Sequence, residues 1–227
     1  SVPGYNPCAA PSTAACGISG PDSIVRGTAG NVYAALAPPA GATFAWTVGG
    51  SGALVGSDAG ASAEMRAGTG GSLTVGLTVT AGGSATTCER QVTLVAPTCA
   101  ISGPDSLDAG DIQGYLASTN LPGPGFAWSV TGDAAPQGGV NGSTLTLRAG
   151  STPGPVELTA EITGGGVTTT CRRTIGVRAL RCLVTGAATV NAHSAANAYS
   201  YTRSGNLAPT AWSWTIDGDG ALAGPPD

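Results

Sequence analysis

Six cysteines carry most of the chemical capacity of this chain: Cys8, Cys16, Cys88, Cys99, Cys171 and Cys182, spaced by 8, 72, 11, 72 and 11 residues. A zinc site wants ligand pairs about two to four residues apart converging on one ion. These spacings do not supply such pairs, and His193 is the single histidine. Disulfides in an oxidising compartment are the natural use of such cysteines. His193 sits in a polar stretch with no identifiable partner, as a general base would need, and reads as a turn residue. No Gly-x-Ser-x-Gly elbow occurs, and the 13 acidic residues are scattered rather than paired as a glycosidase needs. Asp105, Asp108 and Asp111, and Asp217 with Asp219, offer clustered oxygens of the kind calcium takes, but neither group has the full loop pattern, so turn use is expected. Asn141-Gly142-Ser143 is a glycosylation sequon. The expectation is a non-catalytic chain with no cofactor and no metal.

What must position these residues is a repeated unit. Cys16-Gly-Ile-Ser-Gly-Pro-Asp-Ser23 recurs as Cys99-Ala-Ile-Ser-Gly-Pro-Asp-Ser106, and Cys182-Leu-Val-Thr-Gly186 opens a third copy, at an offset of 83 each time. Tyr33 matches Tyr115, Phe44-Ala-Trp46 matches Phe126-Ala-Trp128, Arg66-Ala-Gly68 matches Arg148-Ala-Gly150, and Thr86-Thr-Cys88 matches Thr169-Thr-Cys171. The third copy carries Tyr199, Tyr201, Trp212 and Trp214. The boundaries read from this are an N-terminal segment 1–15, repeats 16–98 and 99–181, and a partial repeat 182–227. Within a copy, Leu73, Val75, Leu77 and Val79 alternate as on a half-buried strand, and glycine-rich turns fall at 81–83 and 164–166. Turn signals every 8 to 12 residues over about 80 residues predict six or seven short strands in an antiparallel β-sandwich. A Trp at the same mid-strand place in every copy predicts core positions for Trp46, Trp128 and Trp214 rather than a sugar-binding platform.

The set Cys-x-Ile-x-Gly-Pro, then Tyr, then Phe-x-Trp-Ser/Thr-Val, then a glycine-flanked hairpin resembles the PKD-like and related immunoglobulin-like repeats of secreted bacterial surface proteins, over residues 16–227. The Trp-Asp-Phe-Gly-Asp-Gly signature of PKD repeats is not well matched; the nearest stretches are Trp46-Thr-Val-Gly-Gly50, Trp128-Ser-Val-Thr-Gly132 and Trp214-Thr-Ile-Asp-Gly-Asp-Gly220. The resemblance implies tandem sandwiches, no activity of their own, and a role as spacer, stalk, adhesive module or appendage of a secreted enzyme. In a sandwich of this type part of the first strand runs beside the last. That favours Cys16 with Cys88 and Cys99 with Cys171 over pairing of neighbours such as Cys88 with Cys99, which strand length would hold beyond disulfide reach. Cys8 and Cys182 are then left for other partners.

Composition narrows the class. All nine basic residues are arginine, so lysine-based isopeptide cross-links are excluded, and a net charge of −4 opposes nucleic-acid binding. No apolar run is long enough for a membrane helix. The expected setting is the cell surface or the extracellular space, with a structural stalk or filament first, and recognition of a glycan or protein ligand or service to a larger enzyme as rivals. The shortened third copy admits two readings. Either the parent chain continues, or the N-terminal segment of a neighbouring subunit, with Cys8, completes the copy as an added strand.

Overall fold

The computed structural model describes residues 15–195, 197–206 and 213–222. Cys8 and Trp212 lie outside them. The described residues form strands and turns without a helix, as expected of a chain with 37 glycines and 16 prolines.

The first repeat has eight strands: β1 (Ile18–Ser19), β2 (Ser23–Val25), β3 (Asn31–Ala35), β4 (Thr43–Gly50), β5 (Gly52–Val55), β6 (Ser62–Ala67), β7 (Ser72–Ala81) and β8 (Ser84–Val95). They form two four-stranded sheets, ordered β1-β3-β6-β5 and β2-β8-β7-β4. The count exceeds the expected six or seven because the opening strand is split. It leaves one sheet after Ser19, turns at Gly20-Pro21 and joins the other at Ser23. Proline lacks a ladder donor and glycine tolerates the bend. There β2 runs parallel to the last strand, Ile24 opposite Leu94. The β7–β8 hairpin closes on Gly82 and Gly83, with φ of 58° and 81°. Positive φ at both central residues is the two-residue turn that matches strand twist.

The second repeat reproduces this order with β9 (Cys99–Ser102), β10 (Ser106–Asp108), β11 (Ile112–Thr119), β12 (Gly125–Thr131), β13 (Ala134–Pro136), β14 (Thr144–Ala149), β15 (Gly154–Gly164) and β16 (Val167–Arg178). Its sheets are β13-β14-β11-β9 and β10-β16-β15-β12. Residues 96–98 and 179–181 lie outside strands. The chain falls into two compact units. One runs to Cys99 and takes in Ser118–Gly125 and Glu161–Thr170; the other comprises Ala100–Ala117, Phe126–Ala160 and the residues from Cys171 on.

Each core follows the period of two. In the first repeat Tyr33, Trp46, Met65, Leu73, Val75, Leu77, Val79, Val92 and Leu94 form one buried cluster, with Cys16, Ile18, Phe44 and Cys88 packed at its margin. Trp46 is 3% exposed and Trp128 6%. The third copy differs. Its described part has two strands, β17 (Cys182–Thr185) and β18 (Ser200–Arg203), paired only with each other. The strand expected through Trp214 is not formed in residues 213–222, and Trp214 is half-buried rather than in a core. In the full repeats the matching strands β4 and β12 are held by β7 and β15. Among its described residues the third copy offers no such partner, and a lone ribbon is marginal.

Gly20 and Gly103, both at φ 151°, lie against the rings of Tyr33 and Tyr115, where an added Cβ would overlap the ring. Gly103→Ala should therefore lower stability by about 2 kcal/mol or more through overpacking and backbone strain. Gly114→Ala, in open space at an ordinary φ, should be near neutral. Urea denaturation of the two variants makes the comparison.

Candidate functional site

The residues that recur with chemistry attached meet at one place in each repeat, where the opening segment lies against the last strand. On β8 the side chains of Cys88, Arg90, Val92 and Leu94 share one face because they alternate. Cys88 is bonded to Cys16, with Cα atoms 5.7 Å apart and 72 residues between them in sequence. Cys99 and Cys171 are disulfide-bonded cysteines as well. Cys182 is a free, exposed thiol.

Two residues beyond Cys88, Arg90 donates from Nη1 to the Ile18 carbonyl at 3.1 Å and from Nη2 to Asp22 at 2.5 Å. Arg173, two beyond Cys171, donates from Nη1 to the Ile101 carbonyl at 2.8 Å and from Nη2 to the Gly103 carbonyl at 2.7 Å and Asp105 at 2.6 Å. Among the described residues the buried Nε of each arginine has no protein partner. Sequence reading missed this arginine pair. Its signal was Cys-x-Arg in both copies.

The tyrosines complete the fastening. Tyr33 donates its hydroxyl to the Pro21 carbonyl at 3.1 Å and Tyr115 to that of Pro104 at 3.2 Å. Burial pushes both phenols up; the nearby guanidinium, Arg90 or Arg173, opposes this, and Asp22 or Asp105 adds to it. The third copy repeats the arrangement: Tyr199 donates to the Ala187 carbonyl at 2.6 Å. The side chains of Ser19, Ser102 and Thr185 each donate to the carbonyl opposite, at Ala34, Leu116 and Ser200. Val184 faces Tyr201 as Ile18 faces Ala35, the same register. Yet Tyr199 is 46% exposed, whereas Tyr33 is 0%.

A second recurrent device holds the tryptophans. Trp46 donates from its backbone to Asp58 at 2.9 Å and from its indole to Gly60 at 2.8 Å. Trp128 does the same to Val140 at 2.9 Å and Gly142 at 2.8 Å. These nitrogens belong to β4 and β12, the sheet-edge strands, so the loop shields an edge that would otherwise invite pairing.

The other residues singled out earlier are scattered. Asp105 is paired with Arg173, and Asp108 with Arg178 at 2.8 Å. Among the described residues no group of three or more His, Cys, Asp or Glu is placed to hold a metal. His193 is exposed in a turn with φ 64°. A shallow hollow lined by Gly132, Asp133, Ala134 and Arg148 has its carboxylate already in use. Asp133 accepts from the Thr152 amide at 2.5 Å, and this bond, with that from Ser151, holds its acid below the usual range. Ser51 caps the matching turn of the first repeat, accepting from Gly70 at 2.7 Å. No helix among the described residues is long and apolar enough to cross a membrane.

These features define an all-β protein of tandem immunoglobulin-like sandwiches. No protein-family model matches the chain, and no curated protein matches it. Among solved structures it is similar to three N-terminal domains of the bacteriophage RB49 highly immunogenic outer capsid protein (13% identity, 86% of this chain and 70% of that one, TM-score 0.43). It is also similar to an I-band fragment of titin (8%, 80% and 73%, 0.31) and to Salmonella alpha-2-macroglobulin reacted with methylamine (12%, 76% and 17%, 0.33). The chain spans only 17% of that macroglobulin.

Ionisation of the two buried tyrosines sets an alkaline limit. Their folded pKa values lie above the unfolded value near 10, so their contribution is intact below that pH and is lost as pH rises through the folded values. Ultraviolet titration should show Tyr33 and Tyr115 ionising above the ordinary value near 10, together with loss of folded signal. Ionisation of both at the ordinary value with the folded signal intact would contradict this.

Proposed function

We propose that this chain is a non-catalytic extracellular structural protein, a run of PKD-like repeats forming a stalk or filament, with the repeat boundaries set at 16–98, 99–181 and 182–227. The observation that carries the proposal is the Cys16–Cys88 bond, which joins the start of a repeat to its last strand across 72 residues. Tension entering at Cys16 passes through the sulfur bridge into β8 and leaves at Val95. The strands between are bypassed. In the chain-entropy model such a loop also contributes about 4 kcal/mol of stability, which a small glycine-rich core needs. Disulfides persist in oxidising surroundings, which supports an extracellular placement.

Self-association or continuation into a longer chain is the proposed fate of the third copy. Its opening hairpin is built in the register of a complete repeat, while Leu183, Val184 and Tyr199 are exposed at 61%, 54% and 46% and Cys182 is free. A strand-bearing segment with a cysteine, from further along a parent chain or from a neighbouring copy through Cys8, fits that opening.

Two measurements follow. Single-molecule pulling without reductant should give little extension per repeat. With reductant each bridge should release roughly 240 Å, at about 3.4 Å for each of 72 residues. Full-length release without reductant would exclude the role. Non-reducing gels of native material should show species that collapse on reduction, with Cys182 in the linked peptide. A Cys182 that stays free in native material would end the covalent form of the assembly proposal.

A further inference from the structure

The loop that holds Trp128 contains the chain's one Asn-Gly step, Asn141-Gly142. Asn141 is exposed, and among the described residues no hydrogen bond holds its carboxamide, in contrast to those of Asn31, Asn120 and Asn197. Glycine has no Cβ to block the approach of its own nitrogen to the preceding side chain, and its backbone is the most permissive of all. We infer that Asn141 is a site of spontaneous deamidation and isoaspartate formation, and that this modification releases the Trp128 clamp of the second repeat.

The chemistry needs only water and base. Hydroxide takes the proton from the Gly142 amide as that nitrogen attacks Cγ of Asn141. The new N–Cγ bond forms, the Cγ–Nδ2 bond breaks, and ammonia leaves, giving a five-membered succinimide. Water then opens the ring at one of two carbonyls. Opening at the α-carbonyl routes the main chain through Cβ and Cγ, which adds one carbon to the backbone at position 141 and leaves a free α-carboxylate.

That extra carbon falls in a constrained place. The Val140 carbonyl accepts from the Trp128 backbone and the Gly142 carbonyl accepts from its indole, at 2.9 and 2.8 Å. Both bonds end on one residue, and position 141 is the spacer between the two acceptors. Lengthening the spacer and adding a charge pulls at least one acceptor away. The backbone bond of Trp128 then opens toward solvent on the edge strand β12. The first repeat is the built-in control. Its acceptors are Asp58 and Gly60, and the spacer is Ala59, which has no carboxamide to lose.

The test uses the whole chain, aged at mildly alkaline pH. Peptide mass mapping should show replacement of NH2 by OH at Asn141 before any other asparagine, and protein isoaspartyl methyltransferase should label that peptide. Nuclear magnetic resonance should show the Trp128 indole N–H losing protection from hydrogen exchange in the aged protein while the Trp46 indole keeps it. Gly142→Ala, which meets nothing nearer than the Thr144 backbone at 3.9 Å, should fold and lose nearly all of the label. Fresh Asn141→Asp, which carries the charge without the added carbon, should keep Trp128 protected. Modification first at another asparagine, or a fully modified chain with Trp128 still protected, would overturn the inference.

Discussion

The tie between a repeat's first residues and its last strand is the constraint on which the rest depends. The opening segment must serve two sheets, first as β1 beside β3 and then as β2 beside β8. Strands this short, two and three residues, bring few ladder bonds of their own. They are fixed instead by side chains reaching in from β8 and β3. Cys88 bonds Cys16, Arg90 takes the Ile18 carbonyl, and Tyr33 takes the Pro21 carbonyl. Removing the tie would leave β1 and β2 to fray and would uncover the side of the core that Ile24 closes.

That constraint explains the charge pattern of the repeat. An arginine on the inward face of a central strand is costly unless its donors are used. Arg90 and Arg173 lie at the rim, where backbone carbonyls made available by the sheet switch meet them, and Asp22 and Asp105 balance the charge from the exposed side. The same economy appears at the turn after β6 and β14. Ser51 in one repeat and Asp133 in the other cap the same loop. A neutral and a charged acceptor are interchangeable there because solvent screens the difference.

Much of this was legible in the sequence, because a tandem repeat shows each constraint twice. The alternation of Leu73, Val75, Leu77 and Val79, the paired glycines of the hairpins and the recurring Trp fixed the sandwich. Features set by backbone acceptors were not legible. Nothing in the residue types at 58, 60, 140 and 142 marks them as carbonyl partners of a tryptophan, since any residue supplies a carbonyl. The arginines could have been found from Cys-x-Arg, but their partners at Ile18 and Ile101 are again main-chain groups. The strand through Trp214 failed for a related reason. Pattern predicts the capacity to form a strand, and the ladder partner decides whether it forms.

The third copy shows how the fastening and the core divide the work. Its hairpin keeps the register, the hydroxyl bond (from Thr185 in place of serine) and the tyrosine bond of a full repeat, so these contacts are local and need no opposite sheet. Tyr199 remains exposed because burial requires the facing sheet that β8, β7 and β4 provide in the first repeat, and Trp214 remains half-buried without the β7 partner that holds the strand of Trp46. Hydrogen bonds therefore set the geometry of the opening segment, and apolar burial against a second sheet stabilises it. A repeat with the first and without the second keeps its opening register while its apolar side chains stay exposed.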